Sequence, residues 1–286
     1  MKIIDIINSK KPSLSFEVFP PKTYDKYESV SLAVSEIAKL SPSYMSVTYG
    51  AGGGTSQYTT KIAKEVSDLG VTCLSHLTCI SSSNDEVDLQ LDSLRDLGIE
   101  NILALRGDVP AELDKSRLEF RYAYELVDRI KKRGGFCIGG ACYPEKHPES
   151  ETVEKDIEHL KLKVDQGCEF LTTQMFFDND IFYRYVEMLK SKGVFVPIVP
   201  GIMPITSLAQ IDRMISLSGN ELPYKFVAMI DKYRDDPASL KQAGIEYATE
   251  QARNIYANGF NAVHVYSMNK FEVAHQIQTN LKDIIK

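Results

Sequence analysis

The stretch Asn101-Ile102-Leu103-Ala104-Leu105-Arg106-Gly107-Asp108 decides the fold. Its apolar run reads as a strand covered on both faces, as in a parallel sheet. It then delivers a cation, a glycine and a carboxylate to one end. The same arrangement recurs along the chain. With Asn101–Arg106, the strand candidates are Leu14–Phe19, Tyr44–Tyr49, Thr72–Cys79, Cys137–Tyr143, Phe170–Phe177, Pro197–Ile202 and Ala262–Met268. Between them lie amphipathic stretches that read as helices: Tyr27–Leu40, Gln57–Leu69, Glu86–Leu97, Phe120–Lys132, Val153–Gln166, Ile181–Lys192, the long region Leu208–Asn258, and Phe271–Ile284. Gly70, Gly98, Gly167, Gly193 and Gly259 each follow a helical run and precede a strand, where a helix C-terminal cap belongs.

Eight strand–helix units in 286 residues match an α/β fold of the (β/α)8 TIM-barrel type, which takes ~250 residues. A doubly wound sheet would place its ligand at one topological switch point. Here polar residues mark the ends of many strands, so the barrel is the better reading. No Ser/Gly-rich linker divides the chain, and residues 1–286 are expected to form a single domain. Met1 to Lys11 reads as a short amphipathic helix, too polar for a signal-peptide core. Ser216–Pro237 carries extra turn signals and should hold an additional short helix before the last strand.

Lys and Arg number 33 against 39 Asp and Glu, a formal charge of −6 with no basic cluster, which disfavours nucleic acid and anionic membrane as partners. No apolar run approaches the ~20 residues of a membrane span, and a cytoplasmic location is expected. Five cysteines, an odd number, argue against a disulfide framework. Cys73, His76 and Cys79 invite a metal reading, but strand alternation puts the two thiols on one face and the imidazole on the other. No metal is expected.

Catalysis in a barrel belongs at the C-terminal strand ends. Glu17, in Ser15-Phe16-Glu17-Val18-Phe19-Pro20-Pro21, is a carboxyl inside an apolar strand. There an ionised group is costly unless paired, and burial suits it to hold a proton as a general acid. A structural ion pair is the competing reading. Tyr49 leads into Gly50-Ala51-Gly52-Gly53-Gly54-Thr55, a loop that admits close backbone approach but matches neither a P-loop nor a dinucleotide fingerprint. His76 reads first as a core histidine. Arg106 and Asp108 flank Gly107 at a barrel mouth, where Arg can hold phosphate or carboxylate and Asp can bind an amino-pyrimidine edge. Tyr143-Pro144-Glu145-Lys146-His147-Pro148-Glu149 suggests a shaped cofactor wall. Asp156, His159 and Lys163 share one helix face by their spacing; a solvated face is the bland alternative. Gln174 is an amide in an apolar run and must find hydrogen-bond partners.

Six motifs then occur in order: Phe16-Glu17-Val18-Phe19-Pro20-Pro21, Val47-Thr48-Tyr49-Gly50, His76-Leu77-Thr78-Cys79, Leu105-Arg106-Gly107-Asp108, Tyr143 to Glu149, and Pro200-Gly201-Ile202. Together, over nearly the whole chain from Leu14 to the eighth strand, they closely resemble the bacterial methylenetetrahydrofolate reductases, with the length of the catalytic barrel alone. The resemblance implies a noncovalent FAD, reduced by NADH or NADPH and reoxidised by 5,10-methylenetetrahydrofolate in a ping-pong scheme. It implies Glu17 as the general acid that assists opening of the bridged ring, and Asp108 as a catalytic residue that binds the pterin beside the flavin. Cofactor contacts would fall on Thr48, His76, Arg106, Gly107, Asp108, Tyr122, Ala123, Tyr143, His147, Asp156, His159 and Lys163. Substrate contacts would be Glu17, Asp108, Gln174, Tyr266 and Lys270. A homo-oligomer is expected by the same analogy.

Three positions depart from the family pattern: Leu162 stands where Arg is frequent, Leu208 where an aromatic is frequent, and Lys270 where Arg often meets the folate. They bear on affinity and on the electron donor, not on the reaction class. Two rival readings accompany the main one. The first is a reductase subunit that takes electrons from a partner protein; the second is a flavin- or folate-binding barrel without activity.

Overall fold

The computed structural model describes residues 1–49, 56–109, 118–218 and 222–285. The loop Gly50–Thr55 singled out above lies outside them. Helix α1 (Ile3–Asn8) leads into β1 (Ser13–Val18), and strands and helices then alternate: α2 (Tyr27–Ala38), β2 (Tyr44–Val47), α3 (Ser56–Asp68), β3 (Cys73–Thr78), α4 (Asn84–Asp96), β4 (Asn101–Leu105), α5 (Ala123–Arg133), β5 (Cys137–Cys142), α6 (Val153–Asp165), β6 (Phe170–Thr173) and α7 (Asn179–Ser191). The chain continues through β7 (Ile198–Val199), β8 (Gly201–Ile202), α8 (Leu208–Ser218), α9 (Tyr224–Tyr233), α10 (Pro237–Ala257), β9 (Ala262–Val265) and α11 (Phe271–Asn280).

All strand pairs are parallel, in the order β7-β6-β5-β4-β3-β2-β1-β9-β8. This is the expected barrel with one correction. The expected seventh strand, Pro197–Ile202, is broken in two at Pro200. Pro has no N–H to give to a ladder. On one side of it Leu171 is in register with Ile198; on the other Gly201 is in register with His264. A single short segment therefore joins both free edges of the sheet. The long helical region resolves into α8, α9 and α10, and α9 is the additional helix expected before the last strand. Gly70, Gly98, Gly167, Gly193 and Gly259 all have positive φ, as their capping role requires.

Side chains on each strand alternate between the helix-facing shell and the barrel interior. The shell forms one large apolar cluster, including Phe16, Val18, Met45, Val47, Ile102, Leu171 and Val263. The interior is apolar only at its N-terminal end, where Ile3 and Ile7 of α1 close it against Tyr44, Leu74, Leu103, Phe170 and Val199. Asn101 ties this plug down: its Oδ1 accepts from the Ile3 N–H at 2.8 Å, and its Nδ2 donates to the Met1 carbonyl at 3.0 Å. Towards the C-terminal end the inward positions turn polar, from Phe170 to Thr172 to Gln174, from Leu74 to His76, and from Ala262 to His264 to Tyr266. A barrel sealed below and polar above presents its chemistry at one mouth. No described helix is long and apolar enough to cross a membrane.

Candidate active site

Glu17 lies on the inward face of β1 and is 7% exposed. Its Oε2 is 3.6 Å from His76 Nε2 and 4.0 Å from His264 Nε2, and accepts a long 3.5 Å contact from the Ser46 hydroxyl. No Lys or Arg meets it among the described residues, so the structural ion pair weighed from sequence is not what the barrel builds. Burial pushes His76 down to about 4, with the nearby Glu17 carboxyl opposing and His264 adding to the shift. His76 is therefore neutral at neutral pH, and its buried Nε2 has no hydrogen-bond partner among the described residues.

These groups line an inner cavity of about 200 Å³ together with Thr48, Thr172, Gln174, Tyr143 and Tyr266. Two close approaches shape it. An added Cβ on Gly201 would stand 2.5 Å from the Tyr266 hydroxyl, so only glycine leaves that ring its place. The Tyr266 hydroxyl donates to the Thr173 carbonyl at 2.6 Å, which fixes the phenol across the cavity. The Gln174 N–H donates to the Cys142 carbonyl at 2.7 Å, and its side-chain oxygen accepts from the Met175 N–H at 3.0 Å.

Leu105, Ala141 and Tyr143 form a wall shared with a larger cleft of about 690 Å³. Arg106, Gly107, Asp108, Tyr122, Ala123, Tyr143, His147, Asp156, His159 and Lys163 all line that cleft. The helix face formed by Asp156, His159 and Lys163 thus looks into a cavity and not into open solvent. Thr48 and His76, expected in the same set, sit in the inner cavity instead. Gly107 has φ +87°, a conformation that favours glycine, and turns the chain sharply after β4 so that Arg106 and Asp108 both reach the mouth. The Arg106 guanidinium is held in a two-pronged ion pair by Glu149, at 2.5 and 2.8 Å, which raises its pKa further.

Helix α6 starts at Thr152, whose hydroxyl caps the Lys155 N–H at 3.2 Å. Its first-turn carboxylate, Asp156, accepts from the His147 N–H and the Ser150 hydroxyl, both at 3.1 Å, and so anchors the Tyr143–Ser150 loop over the cleft. His147 packs edge-on to Tyr143 at 4.7 Å between centroids. Burial, then the Arg106 charge, pushes the His147 pKa down. Lys163 reaches the sheet because Gly140 has no Cβ, which would otherwise lie 2.7 Å from the Lys163 stem. Its Nζ donates to the Ala141 carbonyl at 2.7 Å, and lost hydration lowers its pKa.

Lys270 is not brought into either cavity; its Nζ donates to the Thr206 hydroxyl at 2.6 Å. Leu162 is 43% exposed and lines neither cavity, whereas Leu208 packs against the apolar cluster beneath α8 and α9. Four residues that sequence reasoning passed over also shape the site. Ser46 and His264 contact Glu17 directly, the Ser267 hydroxyl donates to the Glu17 carbonyl at 3.1 Å, and Asn269 pairs with both backbone groups of Phe19 at 2.8 and 2.9 Å. A histidine within the apolar run Ala262–Val265 was the available signal for His264.

Comparison with known proteins adds to this geometry. The family model for methylenetetrahydrofolate reductase matches residues 2–282. The 5,10-methylenetetrahydrofolate reductase of Escherichia coli is 33% identical over 93% of this chain and 89% of that protein. An Arabidopsis thaliana methylenetetrahydrofolate reductase (NADH) is 36% identical over 98% of this chain; the chain spans about half of that relative, 51% of its length. Among solved structures, a Clostridium thermocellum protein that binds two copies of 5-methyl-5,6,7,8-tetrahydrofolic acid has TM-score 0.68 over 99% of each chain, at 15% identity, a likeness of fold alone.

Proposed function

Because the chain belongs to the methylenetetrahydrofolate reductase family, we propose that it reduces 5,10-methylenetetrahydrofolate to 5-methyltetrahydrofolate, with NADH or NADPH as donor and noncovalent FAD as cofactor. The observation that carries this reading is a buried carboxyl, Glu17, in an inner cavity that shares a wall with a cleft of cofactor size. A volume of about 690 Å³ falls within the ~300–1,000 Å³ of small-molecule and cofactor sites.

The residues present fit FAD. His76 Nε2 is a buried polar atom without a hydrogen-bond partner among the described residues, and His76 lines the inner cavity. Arg106 and Lys163 give the outer cleft cations, and His147 and His159 ring nitrogens, suited to a dinucleotide's phosphates and ribose, and Tyr122 and Tyr143 give it aromatic walls. When bound, the flavin supplies the hydride chemistry; the protein supplies orientation and protons. Asp108 and Gln174 would receive the folate's polar edges, Asp108 from the outer cleft and Gln174 from the inner cavity. Tyr266 closes the far wall. Glu17 would protonate the bridged one-carbon ring so that it opens to an electrophile. Lys270, held at Thr206, would need to move to meet a carboxylate of the substrate.

A cytoplasmic location and a homo-oligomer accompany this reading. The test is product formation. Full-length protein loaded with FAD, given NADH or NADPH and methylenetetrahydrofolate, should yield 5-methyltetrahydrofolate by chromatography. If product forms only when a low-potential chemical reductant replaces the nucleotide, electrons come from a partner subunit. No product with any donor would leave a binding barrel and remove the reductase reading.

A further inference from the structure

The N-terminus of α5 breaks a local rule. Helix N-caps favour Ser, Thr, Asp or Asn, whose side chains accept from the first free N–H groups. Here the position is held by Tyr122, whose side chain makes no cap hydrogen bond. Glu125, in the first turn, accepts from the Tyr122 N–H at 2.9 Å and takes over part of that task. Tyr122 is left 46% exposed, and Tyr124, two residues on, is only half-buried. Two large rings thus neither cap the helix nor fill the core. A local rule broken without structural return marks a functional position.

Both rings line the outer cleft, and a chain of contacts gives their place in it. The cleft meets the inner cavity at Leu105, Ala141 and Tyr143. Lys163 stands at that junction, with its Nζ on the Ala141 carbonyl at 2.7 Å. His159 is one helical turn nearer the start of α6, about 6 Å towards the mouth. The Tyr122 ring lies against His159, with centroids 5.8 Å apart and a tilt of 35°. The Tyr124 ring is stacked on Tyr122, at 5.7 Å and 12°. The cleft therefore runs from the inner cavity, past the cations Arg106 and Lys163, to a pair of near-parallel rings. Neither of those rings lines the inner cavity.

We infer that Tyr124, stacked with Tyr122, is an adenine platform that selects FAD over FMN. This rests on the reading of the cleft as an FAD site. The family resemblance implies cofactor contacts at Tyr122 and Ala123 but none at Tyr124, which enters through the ring geometry alone. In a dinucleotide the phosphates lie between two ring systems. A flavin at the inner end, with its phosphates at Arg106 and Lys163, carries the adenosine outward along α6. Adenine is uncharged and offers a flat aromatic face, and a half-exposed tyrosine pair offers the matching surface. FMN ends at its phosphate and has nothing to place there. The nicotinamide donor also carries an adenine, and affinity for the flavin alone separates the two.

Fluorescence titrations of the full-length apoprotein with FAD and with FMN give two dissociation constants for each variant. Their ratio isolates the adenosine half, because the two ligands share the flavin, the ribityl chain and the first phosphate. Stacking of a base on an aromatic side chain is worth roughly 5–150-fold in affinity. With Tyr122 still in place, Tyr124→Ala should weaken FAD about 5–20-fold and FMN less than about two-fold. Tyr124→Phe keeps the ring and should bind FAD as wild type does. Should Tyr124→Ala fail to fold, Tyr124→Leu is read in the same way. Equal weakening of FAD and FMN would make Tyr124 a structural residue and overturn the inference. An unmoved FAD constant would also overturn it; if the KM for NADH or NADPH rises instead, the platform belongs to the donor's adenine. A wild type that binds neither flavin removes the cofactor reading and the platform together. A wild type that binds FAD, with the ratio unmoved in Tyr124→Ala, removes the platform alone.

Discussion

Replacing Glu17 by glutamine removes the proposed acid from a site that is 7% exposed and changes almost nothing in size. General acid catalysis contributes ~10²–10⁴-fold, and the surroundings narrow that range. The nearest candidate to stand in as acid is His76, 3.6 Å away, and burial holds it down to about 4. At pH 7 about one His76 in 10³ is protonated. Folate reduction in Glu17→Gln should therefore fall about 10³-fold, close to 4 kcal/mol of barrier. The amide keeps the size of the carboxyl and its oxygen can still accept from the Ser46 hydroxyl, so the fold should survive with a melting temperature within about 2 °C of wild type. Stopped-flow measurement of the two half-reactions separates the effects. Flavin content and its reduction by the nicotinamide donor should be unchanged, and only the step with methylenetetrahydrofolate should slow. A folate step within about 10-fold of wild type would refute the reasoning, since Glu17 would then be dispensable as proton source. Equal slowing of both steps would refute it in another way, by making Glu17 a structural residue.

The depressed His76 pKa carries a stability consequence. Above the ordinary histidine value of 6.5 neither state is protonated and nothing is lost; between 6.5 and about 4 the unfolded chain binds a proton that the folded one refuses, so stability falls as pH falls through that window. The loss by the lower end is on the order of 3 kcal/mol, and urea unfolding of wild type and His76→Gln at pH 7 and pH 5 should show the variant with the flatter profile. Gly201→Ala places a Cβ 2.4 Å from the Thr173 carbonyl and 2.5 Å from the Tyr266 hydroxyl; it should cost about 1–3 kcal/mol and weaken folate binding by displacing the phenol, read by thermal melts and by ligand titration. Lys163→Met removes the Nζ contact to Ala141 at 2.7 Å and one cation from the cleft; FAD affinity, measured by fluorescence quenching on titration, should drop about ten-fold or more, while unfolding stability changes little.

The barrel could be read from sequence because each strand repeats one physical signal, an apolar run buried on both faces and ended by polar residues. The reading failed at Pro197–Ile202, where continuity of hydrophobic residues concealed a proline that cannot pair on its donor side. Glu17 was legible because a carboxyl inside an apolar strand is conspicuous by its cost. Asp156, His159 and Lys163 were legible as one face, but the depth of Lys163 was not, because it depends on the missing Cβ of Gly140 on another strand. Ser46 and His264 escaped because their role exists only between strands. β1 lies between β2 and β9, and this brings residues 17, 46 and 264 together across 218 positions separating the last two. Lys270 was named only through the family resemblance; the fold sets its ammonium on Thr206, a partner that lies 64 positions away in the chain and that no local pattern announces.

The most direct test of the account is an anaerobic titration of the purified, FAD-loaded protein in which the flavin absorbance is followed on adding NADH or NADPH and then methylenetetrahydrofolate. Bleaching by a nicotinamide donor and full recovery on adding the folate, with one 5-methyltetrahydrofolate formed per flavin, is the predicted result. A bleached flavin that the folate cannot reoxidise would contradict the central claim.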